Sequence, residues 1–266
     1  MLGRGVGDEW FCMGPRIDIL TLFPGLLAPF CDESIVGAAR ARGQLQIAVH
    51  DIRDHATDRH HVCDDAPYGG GDGMVLKCEP VVAAIEAVVG PGSTTLVMSP
   101  RGRPLDQSFA AELALADHLV LVCGRYAGLD ERILEETGAE ELSIGDYVLS
   151  GGEAAAWVVT EAVTRLVPGV LGNPVSAHLD SFSGGLLEHP VYTRPAEFRG
   201  RSVPRELLSG NHAEIERFRR AGSLRLTAAR RPDLMARFEA DLESRTDDAA
   251  DCDRQLLRQL RGGPDS

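Results

Sequence analysis

The chain has 266 residues, 44% of them apolar, and a formal net charge of −13. That is enough for one large domain or two modest ones, with an apolar share ordinary for a globular protein. No apolar run approaches the roughly 20 residues that cross a bilayer, and Asp8 and Glu9 stand where a signal peptide has its apolar core, which sets membrane and secretory classes aside and leaves a cytoplasmic location as the expectation. Six cysteines, at 12, 31, 63, 78, 123 and 252, form no C-x-x-C pair and suit reduced thiols better than a disulfide framework. Residues 1–14 read as a disordered extension.

In chain order, Arg16 to Leu22 predicts a strand and Gly25 to Arg42 a helix with apolar residues at helical spacing. Leu45 to His50 is a strand, Pro80 to Val89 a helix and Thr94 to Met98 a strand. Gln107 to Ala116 follows as a helix, His118 to Cys123 as a strand and Leu129 to Thr137 as a helix. A short edge, Glu141 to Ile144, precedes a helix from Glu153 to Leu166. This alternation predicts an α/β layer with a mostly parallel sheet. Continuous apolar runs such as LVLVC are what a strand covered on both faces requires.

After Pro168 the character changes. Val170 to Gly185 is rich in Gly, Ser, Asn and Pro and reads as a linker. Two helical patterns follow, Asn211 to Arg220 and Pro232 to Leu242, and then an acidic, frayed C-terminus. From Arg194 to Arg237 eleven arginines stand against five acids, a local balance of +6 inside an acidic chain. Such a face can contact phosphate; it is equally the surface of a solvated, salt-bridged helix. Lys77 is the single lysine, so phosphate contacts would fall to arginine.

Two glycine-bearing turns carry the chemistry. GRYAG (Gly124 to Gly128) and GDYVLSGG (Gly145 to Gly152) each follow a short apolar run, with a helical segment between them. Glycine just past a strand lets backbone approach a ligand, because no Cβ intervenes. Side by side, the two turns would wall one pocket for a nucleotide-like cofactor, but their spacing fits neither the dinucleotide fingerprint nor the phosphate loop. A third glycine-rich run lies in HHVCDDAPYGGGDGM (His60 to Met74), where four glycines fall within five residues. Its histidines, Cys63, Asp64 and Asp65 match no zinc spacing and read as a hydrogen-bonded polar loop. Arg165, ending an apolar helix, is placed where the helix dipole favours a cation. Asp180 lies in the linker, where most aspartates make local turn hydrogen bonds.

Taken together, the motifs resemble the tRNA (guanine-N1)-methyltransferases of the knotted SPOUT superfamily. The matching segments are LFP (Leu22 to Pro24), VCDDAPYGGGDGM (Val62 to Met74), Ser99 with Pro100, LVCGRYAGLDER (Leu121 to Arg132) and SIGDYVLSGGE (Ser143 to Glu153). The match continues through PGVLG (Pro168 to Gly172), DSF (Asp180 to Phe182), YTRP (Tyr192 to Pro195) and LLSGNHAEI (Leu207 to Ile215). The resemblance implies an α/β domain with a deep C-terminal trefoil knot, a rare exception to unknotted chains, followed by a small helical domain. The implied divisions are a knotted cofactor-binding domain over 15–171, a linker over 172–185, a helical tRNA-binding domain over 186–245 and an acidic tail over 246–266.

By the same resemblance, S-adenosylmethionine binds at Ser99, Pro100, Gly124, Ile144, Gly145, Asp146, Tyr147, Val148, Leu149, Gly151 and Gly152. Asp180 is the general base and Arg165 the arginine that stabilises charge on O6 of the target, the guanosine 3′ of the anticodon in tRNA. The family works as a homodimer with shared active sites. Three positions depart from its pattern: Ala127 replaces a usual glutamate, Asp72 a usual proline and His61 a usual arginine. The glutamate assists the target guanosine or a bound Mg2+ ion, so Ala127 puts a Mg2+ requirement in question. Two other readings are a non-catalytic tRNA-binding relative and a SPOUT enzyme acting on ribosomal RNA; the DSF connector and the LLSGNHAE segment favour tRNA.

Overall fold

The computed structural model describes residues 14–172 and 180–261. The expected N-terminal extension lies outside them except for Gly14, whose N–H donates to Gln44 O at 2.9 Å. The chain divides into two compact units, Met1–Pro174 and Val175–Ser266.

In the first unit the strands are β1 (Arg16–Thr21), β2 (Gln46–Asp51), a short hairpin of β3 (Asp64–Asp65) and β4 (Val75–Leu76), β5 (Ser93–Pro104), β6 (His118–Cys123) and β7 (Glu140–Ser143). The helices are α1 (Pro24–Asp32), α2 (Ser34–Ala41), α3 (Cys78–Glu86), α4 (Gln107–Ala114), α5 (Arg132–Thr137) and α6 (Glu153–Leu166). Five strands form one sheet in the order β2-β1-β6-β5-β7, with every pairing parallel. Alternate side chains point to opposite faces. Ile17, Ile19, Leu119 and Leu121 therefore enter one core with Leu27, Val36, Phe109 and Val159, from α1, α2, α4 and α6. Leu20, Val120 and Val122 enter the other with Val81, Ile85 and Ile133, from α3 and α5. Every residue of β6 is buried, as a central strand covered on both faces must be.

Three features differ from the sequence reading. The helix expected over Gly25 to Arg42 is two helices, broken where Glu33 is extended (φ −111°, ψ 162°) and Ser34 takes φ +56°. Gly37 permits the tight corner, since a Cβ there would lie 2.2 Å from Asp32 O. β5 runs well past Met98 through an irregularity in which Met98 and Arg103 both face Leu142, so Ser99 to Gly102 bulge from the ladder. Gly102 allows this because its Cβ would fall 2.3 Å from the Glu141 carbonyl carbon. The helix expected from Leu129 begins only at Arg132, because Leu129 pairs with Leu76 in an isolated bridge.

The second unit contains a short hairpin of β8 (Glu197–Phe198) and β9 (Arg201–Ser202), then α7 (His212–Arg230), α8 (Pro232–Ser244) and α9 (Asp248–Arg261). Asn211 caps α7 by accepting from Glu214 N at 3.5 Å. The expected frayed tail is instead the helix α9 over most of its length. Ala250, Leu256 and Leu257 bury against Leu224, Met235, Phe238 and Leu242, and Arg220 grips the buried Asp253 with two hydrogen bonds of 2.7 Å. That bidentate pair and the apolar stripe outweigh the acidic composition. Among the described residues, no helix is long and apolar enough to cross a membrane.

Candidate active site

The carboxyl ends of β5, β6 and β7 open into a cavity of about 310 Å³. Its walls are the bulge after Met98, the turn after β6 and the segment joining β7 to α6. Ten of the eleven residues that the resemblance assigns to the cofactor line it: Ser99, Pro100, Gly124, Ile144, Gly145, Tyr147, Val148, Leu149, Gly151 and Gly152. Asp146 lies in the same segment but does not line the cavity.

The two glycine turns meet backbone to backbone. Gly152 N–H donates to Gly124 O at 2.8 Å. A Cβ on Gly152 would sit 2.8 Å from Cys123 Cα, and one on Gly124 2.8 Å from Leu129 Cδ1. Gly152→Ala is therefore expected to cost about 1–3 kcal/mol and to push the turns apart; a thermal melt matching the wild type would refute that. Gly145 takes φ +143° with the Tyr147 ring packed over it, and the Tyr147 hydroxyl donates to Ile144 O at 3.2 Å. Tyr126, also in the lining, holds φ +60°, a costly conformation away from glycine.

Beneath these turns lies an ion pair. Glu153, 5% exposed, accepts from Thr21 Oγ1 at 2.8 Å and from Arg125 Nε at 3.1 Å. The Arg125 guanidinium also lies 4.3 Å from the centre of the Phe23 ring. Gly151 is needed beside it, because a Cβ would come within 2.3 Å of Arg125 Nε. Sequence reasoning gave Arg125 and Glu153 no role. Their only signal was an arginine and a glutamate each adjoining a glycine turn. On the outer wall Arg101 bridges Glu131 at 3.1 Å and Glu141 at 2.8 Å. Hydrogen bonds from Arg132 hold the Asp130 carboxyl well below the usual carboxylate range.

Arg165 and Asp180 belong to different units. Arg165 is exposed in the last turn of α6. Asp180 is half-buried at the start of a turn in which Ser183 N–H donates to Asp180 O at 3.4 Å and Phe182 N–H to Leu186 O at 2.8 Å. In the polar loop, the backbone N–H groups of His60 and Val62 donate to the Asp58 carboxylate, each at 2.8 Å, and His61 Nδ1 lies 2.8 Å from Arg53 O. Of the arginine-rich stretch, Arg220 and Arg231 are engaged by Asp253 and Asp233, while Arg199, Arg201, Arg219 and Arg225 are exposed.

A ligand-sized cavity outside the carboxyl ends of a parallel α/β sheet lies where enzymes of this architecture bind small molecules. The model of the tRNA (guanine-1)-methyltransferase family, TrmD, matches residues 15–237. A tRNA (guanine-N(1)-)-methyltransferase of Geobacter metallireducens is 55% identical over 250 residues, covering 93% of this chain and 98% of the relative. Its counterpart in Geobacter sulfurreducens is 53% identical, covering 92% and 98%, and that of Anaeromyxobacter sp. strain K 57% identical, covering 85% and 94%. The chain belongs to the tRNA (guanine-1)-methyltransferase family, and it is a methyltransferase.

Proposed function

We propose that the protein methylates N1 of the guanosine immediately 3′ of the anticodon in tRNA, with S-adenosylmethionine as donor. The observation that carries this reading is the glycine-walled cavity, in a chain whose family match runs through both units. The cavity suits the donor. Its volume lies at the lower end of the range for small-ligand sites. Among the described residues, the only backbone N–H between Asp146 and Ser150 with a protein acceptor is that of Tyr147, to Gly145 O at 2.9 Å. The remaining donors of that segment can serve the ligand. S-adenosylmethionine, when bound, supplies a methyl group activated by its sulfonium.

The chain's own residues supply the rest. Guanine N1 carries a proton and is a poor nucleophile until it leaves. Asp180 accepts that proton as general base, and the Arg165 guanidinium stabilises the negative charge that then builds on O6. The linker around Asp180 brings the base to the target when tRNA is bound. The exposed arginines of the second unit hold the tRNA backbone.

The knot of the family is part of this reading. Its support is the family match over residues 15–237. The homodimer with shared sites also belongs to this reading; Leu26, Phe30 and Val158 offer it exposed apolar side chains on α1 and α6, beside the Phe30–Trp157 stack. The setting is cytoplasmic, where tRNA is found.

The test is methyl transfer to paired tRNA transcripts carrying guanosine or adenosine 3′ of the anticodon, with the product identified as N1-methylguanosine. Transfer to the first alone is expected. Equal transfer to both, or none, would overturn the reading. A chelator arm reads the Mg2+ requirement that Ala127 puts in question.

A further inference from the structure

The third glycine-rich segment has no part in the chemistry above, yet it is built against the cavity. It is the tip of the β3–β4 hairpin. Gly69, Gly70, Gly71 and Gly73 all take positive φ, and the turn is closed by Gly70 N–H donating to Pro67 O at 3.3 Å. Past the tip the strand is fastened to the pocket wall. Ala127 N–H donates to Met74 O at 2.9 Å, Leu76 N–H to Gly128 O at 3.0 Å and Asp130 N–H to Leu76 O at 3.0 Å. Ala127, Gly128 and Asp130 all line the cavity.

On this tip stands Tyr68, 100% exposed. A fully solvated aromatic ring at a glycine turn contributes nothing to a core. The chain has four tyrosines, and two of the others, Tyr126 and Tyr147, line the cavity and are more than half exposed. The charges nearest in sequence are Asp64, Asp65 and Asp72, which would repel phosphate. The hairpin thus offers an apolar ring face.

We propose that Tyr68, on the hairpin fastened to the cavity wall, is a stacking platform for a nucleobase of the RNA substrate. It is a positioning residue and takes no part in proton or methyl transfer. The proposal rests on the reading of the protein as a tRNA methyltransferase. Any base has a π-face, so the platform fixes where an unpaired base lies without choosing which base it is. The glycines let the ring swing to meet it.

The experiment compares wild type, Tyr68→Ala, Tyr68→Phe and Tyr68→Trp in steady-state methylation of a tRNA transcript, with tRNA affinity measured separately by fluorescence anisotropy. Tyr68→Ala is expected to lower kcat/KM for tRNA about tenfold or more, the size of a lost base–aromatic stack, and to leave KM for S-adenosylmethionine and the melting temperature unchanged. Phe and Trp are expected to restore the wild-type value. Unchanged kcat/KM in Tyr68→Ala, or failure of Phe to rescue, would overturn the proposal, the second by making the hydroxyl responsible. A wild type that binds tRNA without methylating it would overturn the function proposed above instead, and the anisotropy series would still decide the role of Tyr68.

Discussion

Asp180→Asn is expected to lower methyl transfer to tRNA by about 10²–10⁴-fold, the range spanned by a positioned general base. Asparagine keeps the size and planarity of the side chain and removes its capacity to take a proton. Asp180 is half-buried within a hydrogen-bonded turn, so the near-isosteric change is preferable to alanine. If the residue is the base, single-turnover rates collapse while S-adenosylmethionine affinity, tRNA affinity and melting temperature hold. A variant that turns over at the wild-type rate would remove Asp180 from the chemistry. One that loses tRNA binding would make it a substrate-binding residue.

Asp18→Asn is expected to destabilise the first unit by about 3–5 kcal/mol, the cost of breaking a buried charge cluster by removing one partner. Asp18 is 0% exposed in the middle of β1. Its carboxylate forms an ion pair with Arg16 Nε at 2.6 Å, faces His50 Nε2 at 2.6 Å on β2 and His118 Nε2 at 2.7 Å on β6, and His118 Nδ1 is in turn 2.7 Å from Ser93 Oγ. Burial pushes the Asp18 carboxyl up, and the hydrogen bonds from His50, Arg16 and His118 more than reverse this, leaving it below its ordinary value. A depressed carboxylate stabilises the fold above its unfolded value, near pH 4, and that stability is lost as pH falls through the folded value. Urea unfolding should therefore show wild-type stability falling below about pH 4, and a shallower fall in Asp18→Asn. Parallel curves for the two would exclude Asp18 as the source.

The centre of the sheet was legible because β6 carries a continuous apolar run, and continuity is what burial on both faces demands. The cavity was legible for a related reason: glycines clustered just past strand ends have few other uses. What escaped depends on contacts far apart in the chain. Asp18 inside RIDIL reads as one polar letter in a strand, and only the neighbouring strands bring His50 and His118 against it. The corner at Glu33 and Ser34 turns on Gly37, which looks like an ordinary helix-interior glycine until Asp32 O is found against it. Helix α9 was masked by its acids, because its apolar residues acquire a face only once α7 and α8 are beside it. Asp146, carried over with its neighbours, belongs to the same segment yet stays out of the lining.

The hydrogen-bonded trio beneath the cavity has a thermodynamic consequence. Thr21 ends β1, Arg125 lies just past β6 and Glu153 opens α6, so their hydrogen bonds fasten three chain segments into one floor. That floor is ordered when the protein folds, and a ligand arriving later need not immobilise it. Association at such a preformed surface carries a small entropic penalty. Calorimetry should then register a negative heat-capacity change set by the apolar area covered, without the larger signature of a floor that folds around its guest.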